Sequence, residues 1–132
     1  MSDKQKTALI IEDDFSIFCV LELMLQDMNI RSVQADTLAS ARKLTENIVP
    51  EIIFVDHFLP DGQGIGFIPF LRKKFSGSLI ITMTAQNTHQ NKIESARNGS
   101  DYFLEKPFSL SDVYCSINSG LAMSLKASDN LR

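Results

Sequence analysis

The chain has 132 residues, 44% hydrophobic and 22% charged, with a formal net charge of −3. That is enough for one compact domain around a single core, and the charge gives no basic face for nucleic acid or an anionic membrane. The apolar runs are far too short to span a bilayer, and the opening residues MSDKQK lack the apolar segment of a secretion signal.

Residues 1–6 are polar and read as a disordered N-terminus. Ala8 to Ile11 is a short apolar run, the first strand, which stops at Glu12-Asp13-Asp14. Ile17, Phe18, Leu21, Met24, Leu25 and Met28 then recur at helical spacing, with Asp14 placed as N-cap and Asn29 as the stop. Ile30 to Gln34 is a weaker, partly polar strand suited to a sheet edge. Asp36 or Thr37 can cap a second helix carrying Leu38, Ala41, Leu44 and Ile48, ended near Pro50. Ile52 to Val55 is apolar without interruption, as in a strand buried on both faces, and it ends at Asp56. Pro60, Gly62 and Gly64 forbid its continuation.

A third helix is expected over residues 65–75, with Pro69 marking a kink or an N-terminal turn. Leu79 to Met83 is the fourth strand, ending at Thr84-Ala85. Gln86 to Gln90 is a wholly polar loop with no evident role. The fourth helix, about residues 88–98, has only Ile93 and Ala96 to bury, and Gly99 reads as its C′ residue. Tyr102 to Leu104 is the fifth strand, ending at Glu105-Lys106-Pro107. Ser109 or Ser111 caps a fifth helix carrying Leu110, Val113, Ile117, Leu121 and Leu125. Residues 7–125 thus make one domain, with a flexible tail over 126–132. Five strands alternating with five helices predict an α/β fold, a parallel sheet with helices on both faces. Cys19 and Cys115 lie far apart in helix-like patterns, which fits free thiols in a reducing cytoplasm. Two histidines without ligand spacing argue against zinc.

In a parallel sheet all carboxyl ends share one edge, where open α/β sheets place their chemistry. Glu12, Asp13, Asp56, Thr84 and Lys106 therefore converge. Two carboxylates about 4 Å apart repel by roughly 4 kcal/mol at an effective dielectric of about 20. One lysine does not offset three acids, and a hard divalent cation such as Mg²⁺ suits the oxygen donors. With that charge present, Asp56 is placed to attack a phosphoryl group, Thr84 to donate a hydrogen bond to it and Lys106 to pair with it. Taken singly, Asp56 and Asp13 read as caps, Thr84 as a strand residue and Lys106 as a solvated loop lysine. Those readings together leave four special residues at four strand ends unexplained.

The stretches Ile10-Ile11-Glu12-Asp13-Asp14, Val55-Asp56-x-x-Leu59-Pro60 with Gly64, Thr84-Ala85 and Lys106-Pro107-Phe108 resemble the receiver domain of bacterial two-component response regulators. The resemblance covers about residues 7–122. It implies a flavodoxin-like fold with strand order 2-1-3-4-5. It also implies Mg²⁺-dependent phosphorylation of Asp56 by a histidine kinase or phosphotransfer protein. Carried over by position, Asp13, Asp56 and the Phe58 backbone carbonyl bind the metal, and Glu12 reaches it through water. Thr84, Lys106 and the Ala85 backbone N–H contact the phosphoryl group. The resemblance further implies a switch in which Thr84 moves toward the phosphate and Phe103 turns inward. Phe103 reads equally well as a simple core residue, and it lacks the hydroxyl that a tyrosine would offer.

Output is expected through protein contact at the face of the fourth helix, fifth strand and fifth helix, with a homodimer left open. The chain reads either as a stand-alone regulator or as part of a longer protein, and as a signalling domain rather than an enzyme. His57 points away from Asp56 by strand alternation and reads as packing or surface, with a part in dephosphorylation as the lesser alternative. Gly62-Gln63-Gly64-Ile65-Gly66 hints at a dinucleotide fingerprint, but position six is Phe67 and no acid follows about 20 residues on. A flavin-binding module and a docking scaffold that never accepts phosphate are the competing classes.

Overall fold

Ile52–Asp56 lies at the centre of the sheet with every residue buried, as an uninterrupted apolar run requires where helices cover both faces. The structure is a computed structural model that describes residues 5–86 and 88–130, the side chains of 121–130 lying outside that description. The chain runs β1 (Lys6–Ile11), α1 (Phe15–Gln26), β2 (Ile30–Ala35), α2 (Leu38–Leu44), β3 (Ile52–Asp56), the short hairpin β4 (Phe58–Leu59) and β5 (Gly62–Gln63), α3 (Gly64–Lys74), β6 (Leu79–Thr84), α4 (His89–Asn98), β7 (Tyr102–Glu105) and α5 (Leu110–Asn130). The main sheet is parallel in the order β2-β1-β3-β6-β7. Counting only its own strands, that is 2-1-3-4-5, the flavodoxin-like order. Among the described residues no helix is long and apolar enough to cross a membrane.

Strand alternation sends Ala8, Ile10, Ile52, Phe54, Ile81 and Met83 to one face, where Phe18, Leu21 and Leu25 of α1 and Val113 and Ile117 of α5 cover them. Leu9, Ile11, Ile53, Val55 and Ile80 face the other way, onto Ala41 of α2 and Phe67, Ile68 and Leu71 of α3. The caps follow from local chemistry. The Asp14 carboxylate accepts from Ser16 and Ile17 N–H groups, and the Thr37 hydroxyl, not Asp36, accepts from Ser40 N–H. Ser109 and Asp112 cap α5 reciprocally, backbone N–H to side chain in both directions. Asn29 and Gly99 stop α1 and α4 with φ of 58° and 118°.

Several expectations need correction. Strand β1 begins at Lys6, inside the span assigned to the N-terminus; residues 1–4 lie outside the described residues. Helix α2 ends at Leu44, where the Thr45 hydroxyl turns back onto the Arg42 carbonyl, so Ile48 lies beyond it. The α5 backbone continues to Asn130 rather than giving way to a tail at 126, because no glycine or proline follows Gly120 to stop it. The residue α4 buries is Ser95, while Ile93 is 43% exposed and Ala96 exposed. Ser95 faces a polar partner, the Thr82 hydroxyl at 2.7 Å, and Thr82 also donates to Ser100 at 2.8 Å. Pro69 sits inside α3 without ending it. It lacks the N–H that would bond the Ile65 carbonyl, and the Asn98 side-chain amide of α4 donates to that carbonyl instead, at 2.8 Å.

Candidate functional site

The parallel register brings the strand ends together at one edge. Glu12 follows β1, Asp56 ends β3, Thr84 ends β6, and Lys106 follows β7. One oxygen from each of Glu12, Asp13 and Asp56 can be chosen so that all three lie within 4.8 Å of one another. Glu12 and Asp56 are 1% and 5% exposed, whereas Asp13 faces solvent. The Lys106 ammonium bridges the two buried acids, 2.6 Å from Glu12 Oε1 and 3.1 Å from Asp56 Oδ1. The other Glu12 oxygen accepts the Asp14 backbone N–H at 3.2 Å.

Burial is the largest influence on both acids. It pushes Glu12 up to about 7, reinforced by the Asp56 charge and opposed by Lys106. Burial raises Asp56 as well, against the pull of Lys106. For Lys106 burial opposes the charge, but the bonds and charges of Glu12 and Asp56 hold its pKa above the ordinary value. The site is thus an acid cluster with one cation between two of its three members. Its oxygen donors and its excess negative charge fit a small hard cation such as Mg²⁺.

The remaining candidates stand around this cluster. Thr84 is fully buried, its hydroxyl oxygen accepting the Gln86 N–H at 3.0 Å. Ala85 is exposed beside it. Phe58 is 47% exposed on β4, two residues beyond Asp56. Phe103 is half-buried on β7 with the Lys92 ammonium 5.9 Å from its ring centre. His57 is buried and packs its ring 4.5 Å from that of Phe58, so it is a packing rather than a surface residue. Among the described residues its Nδ1 meets no hydrogen-bond partner, and burial lowers its pKa. Gly64 lies against the Asp56 backbone so closely that a Cβ there would collide with the Asp56 carbonyl oxygen.

Two supporting residues escape a reading from sequence. The Gln34 side-chain amide donates to the Glu12 carbonyl at 3.0 Å, and Asp61 accepts from backbone N–H groups of α2. Asp61-Gly62 signals a turn, but nothing in the sequence shows which helix that carboxylate reaches.

Residues 8–118 match the family described as the response regulator receiver domain. The KDP operon transcriptional regulatory protein KdpE of Escherichia coli is 33% identical over 105 residues, covering 80% of this chain and 46% of its own length. The transcriptional regulatory protein PhoP of the same organism is 29% identical over 120 residues, covering 86% and 54%. This chain therefore spans about half the length of these curated relatives. Among solved structures, a CheY-like response regulator receiver domain protein from Methanospirillum hungatei superposes with a TM-score of 0.87 at 24% identity, over 94% of this chain and 99% of that one.

Proposed function

From the premise that this chain belongs to the response regulator receiver family, we propose that it accepts a phosphoryl group on Asp56 in two-component signalling. The observation that carries the reading is the cluster of Glu12, Asp13 and Asp56 with Lys106 bridging two of them. The donor is a phosphohistidine on a histidine kinase or a phosphotransfer protein. An Asp56 oxygen forms a bond to phosphorus as the phosphorus–nitrogen bond breaks, and the electron pair returns to the donor imidazole, which takes up a proton.

Glu12, Asp13, Asp56 and the Phe58 carbonyl would hold Mg²⁺, Glu12 through water; when bound, Mg²⁺ supplies positive charge to the acids and the transferring group. Lys106 pairs with a phosphoryl oxygen, and Thr84 and the Ala85 N–H donate to the others. The chain is the acceptor rather than an enzyme turning over a separate substrate, although these groups assist its own phosphorylation and dephosphorylation. Thr84 and Phe103 relay the modification to the face of α4, β7 and α5, where a downstream protein or a second copy of the chain docks. The setting is the cytoplasm, where such donors work.

Intact-mass measurement with Mg²⁺ and acetyl phosphate tests this. A gain of one phosphoryl group that disappears in Asp56→Asn is expected. An unchanged mass, or a gain that survives the substitution, rejects Asp56 as acceptor.

A further inference from the structure

The hairpin β4–β5 follows Asp56 directly and carries Phe58, whose carbonyl the proposed metal site uses. Two residue pairs close it, Phe58 with Gln63 and Leu59 with Gly62, and the Gly64 N–H donates to the His57 carbonyl at 2.7 Å just outside it. A two-residue ladder is too short to hold a fixed position by itself. What fastens it lies in another part of the chain. Asp61, at the hairpin turn, gives both carboxylate oxygens to the first turn of α2: Oδ1 accepts the Leu38 N–H at 2.9 Å and Oδ2 the Ala39 N–H at 3.0 Å. Those are N–H groups that a helix start cannot bond within itself. Gly62 lies against Leu38, since a Cβ on it would stand 3.0 Å from Leu38 Cδ1. Leu59 packs against the core shared by α2 and α3.

The segment that receives Asp61 also holds the backbone of Glu12. Just before α2, the Ala35 carbonyl accepts the Glu12 N–H at 2.9 Å, and the Gln34 amide donates to the Glu12 carbonyl. Residues 34–39 thus grip Glu12 with one end and the hairpin with the other. The two backbone bonds also hold the Asp61 carboxyl below its ordinary pKa.

We propose that Asp61 is a positioning residue for the metal site: by tying the hairpin to α2 it sets the Phe58 carbonyl beside Asp56 and fixes its distance from Glu12. The proposal rests on the assignment of Mg²⁺ to that cluster.

Thr37 supplies the control, because its hydroxyl caps the same helix through the Ser40 N–H without touching the hairpin. Wild type, Asp61→Ala, Asp61→Asn and Thr37→Ala, each in the full chain, are titrated with Mg²⁺ by calorimetry and unfolded in urea. Asp61→Ala is expected to weaken Mg²⁺ binding by about 10-fold, the scale for an outer partner of a ligand. Asp61→Asn, which keeps one acceptor oxygen, should fall between it and wild type. Thr37→Ala should lower the urea midpoint and leave Mg²⁺ affinity unchanged. Equal affinity in Asp61→Ala and wild type, or an equal loss in Thr37→Ala, overturns the positioning role. No Mg²⁺ uptake by the wild-type chain instead overturns the metal assignment itself and this role with it.

Discussion

Removing the Asn98 amide should expose the defect that Pro69 leaves in α3. Asn98→Ala deletes the donor to the Ile65 carbonyl, and Ile65 is 1% exposed, so water reaches that oxygen poorly. An unsatisfied group of this kind costs about 1–3 kcal/mol, and a partly buried bond belongs toward the lower half, about 1–2 kcal/mol. Pro69→Ala restores a backbone N–H four residues after Ile65, which can close the turn from within the helix. In that background Asn98→Ala should cost less than about 0.5 kcal/mol, giving a coupling near 1 kcal/mol, larger than the scatter between independent sites. Urea unfolding of wild type, both single variants and the double variant at one pH measures this, provided the slopes agree. Equal costs of Asn98→Ala in the two backgrounds would refute the claim that the amide substitutes for the missing N–H.

Acidity gives a further prediction, since Glu12 rises from 4.5 to about 7 on folding. Folded Glu12 holds its proton where the unfolded one has lost it between those values, so Glu12's contribution to metal-free stability is fully present below about pH 4.5 and is lost as pH rises through about 7. The fall is on the order of 3 kcal/mol at most; urea midpoints across this range should show it, and Glu12→Gln should flatten it. Two glycines separate close approach from open space. Gly64→Ala drives a methyl into the Asp56 carbonyl and should cost about 3 kcal/mol. Gly66→Ala meets nothing within 4 Å inside the same helix and should gain about 0.5–1 kcal/mol. Urea unfolding of both checks the pair, and a similar cost for each would contradict the geometry.

The sheet was readable in the sequence because β1, β3 and β6 are apolar runs that end abruptly, and each end carries a residue whose chemistry differs from the run. The parallel register then does the assembly: Glu12 and Asp56 meet although 44 positions separate them, since β1 and β3 pair in step. What stayed hidden depends on side chains that cross between elements without any periodic signal. Asp61 looks like an ordinary turn acid, Asn98 like an exposed helix amide, and Gln34 like a polar residue of an edge strand. Each takes its meaning from a backbone group in another element. Helix α4 misleads for a related reason: hydrophobic pattern points to Ile93 and Ala96, but the sheet offers it the hydroxyl of Thr82.

That hydroxyl seam makes α4 unlike its neighbours. Hydrocarbon surfaces resist separation in proportion to area, whereas hydroxyl groups released from one another are welcomed by water. Its attachment is decided by the direction and length of a few bonds, among them those of Ser95 and Asn98. A small turn or slide of this rod would therefore hand those few polar groups to water while the oily interior beneath α3 and α5 stays closed.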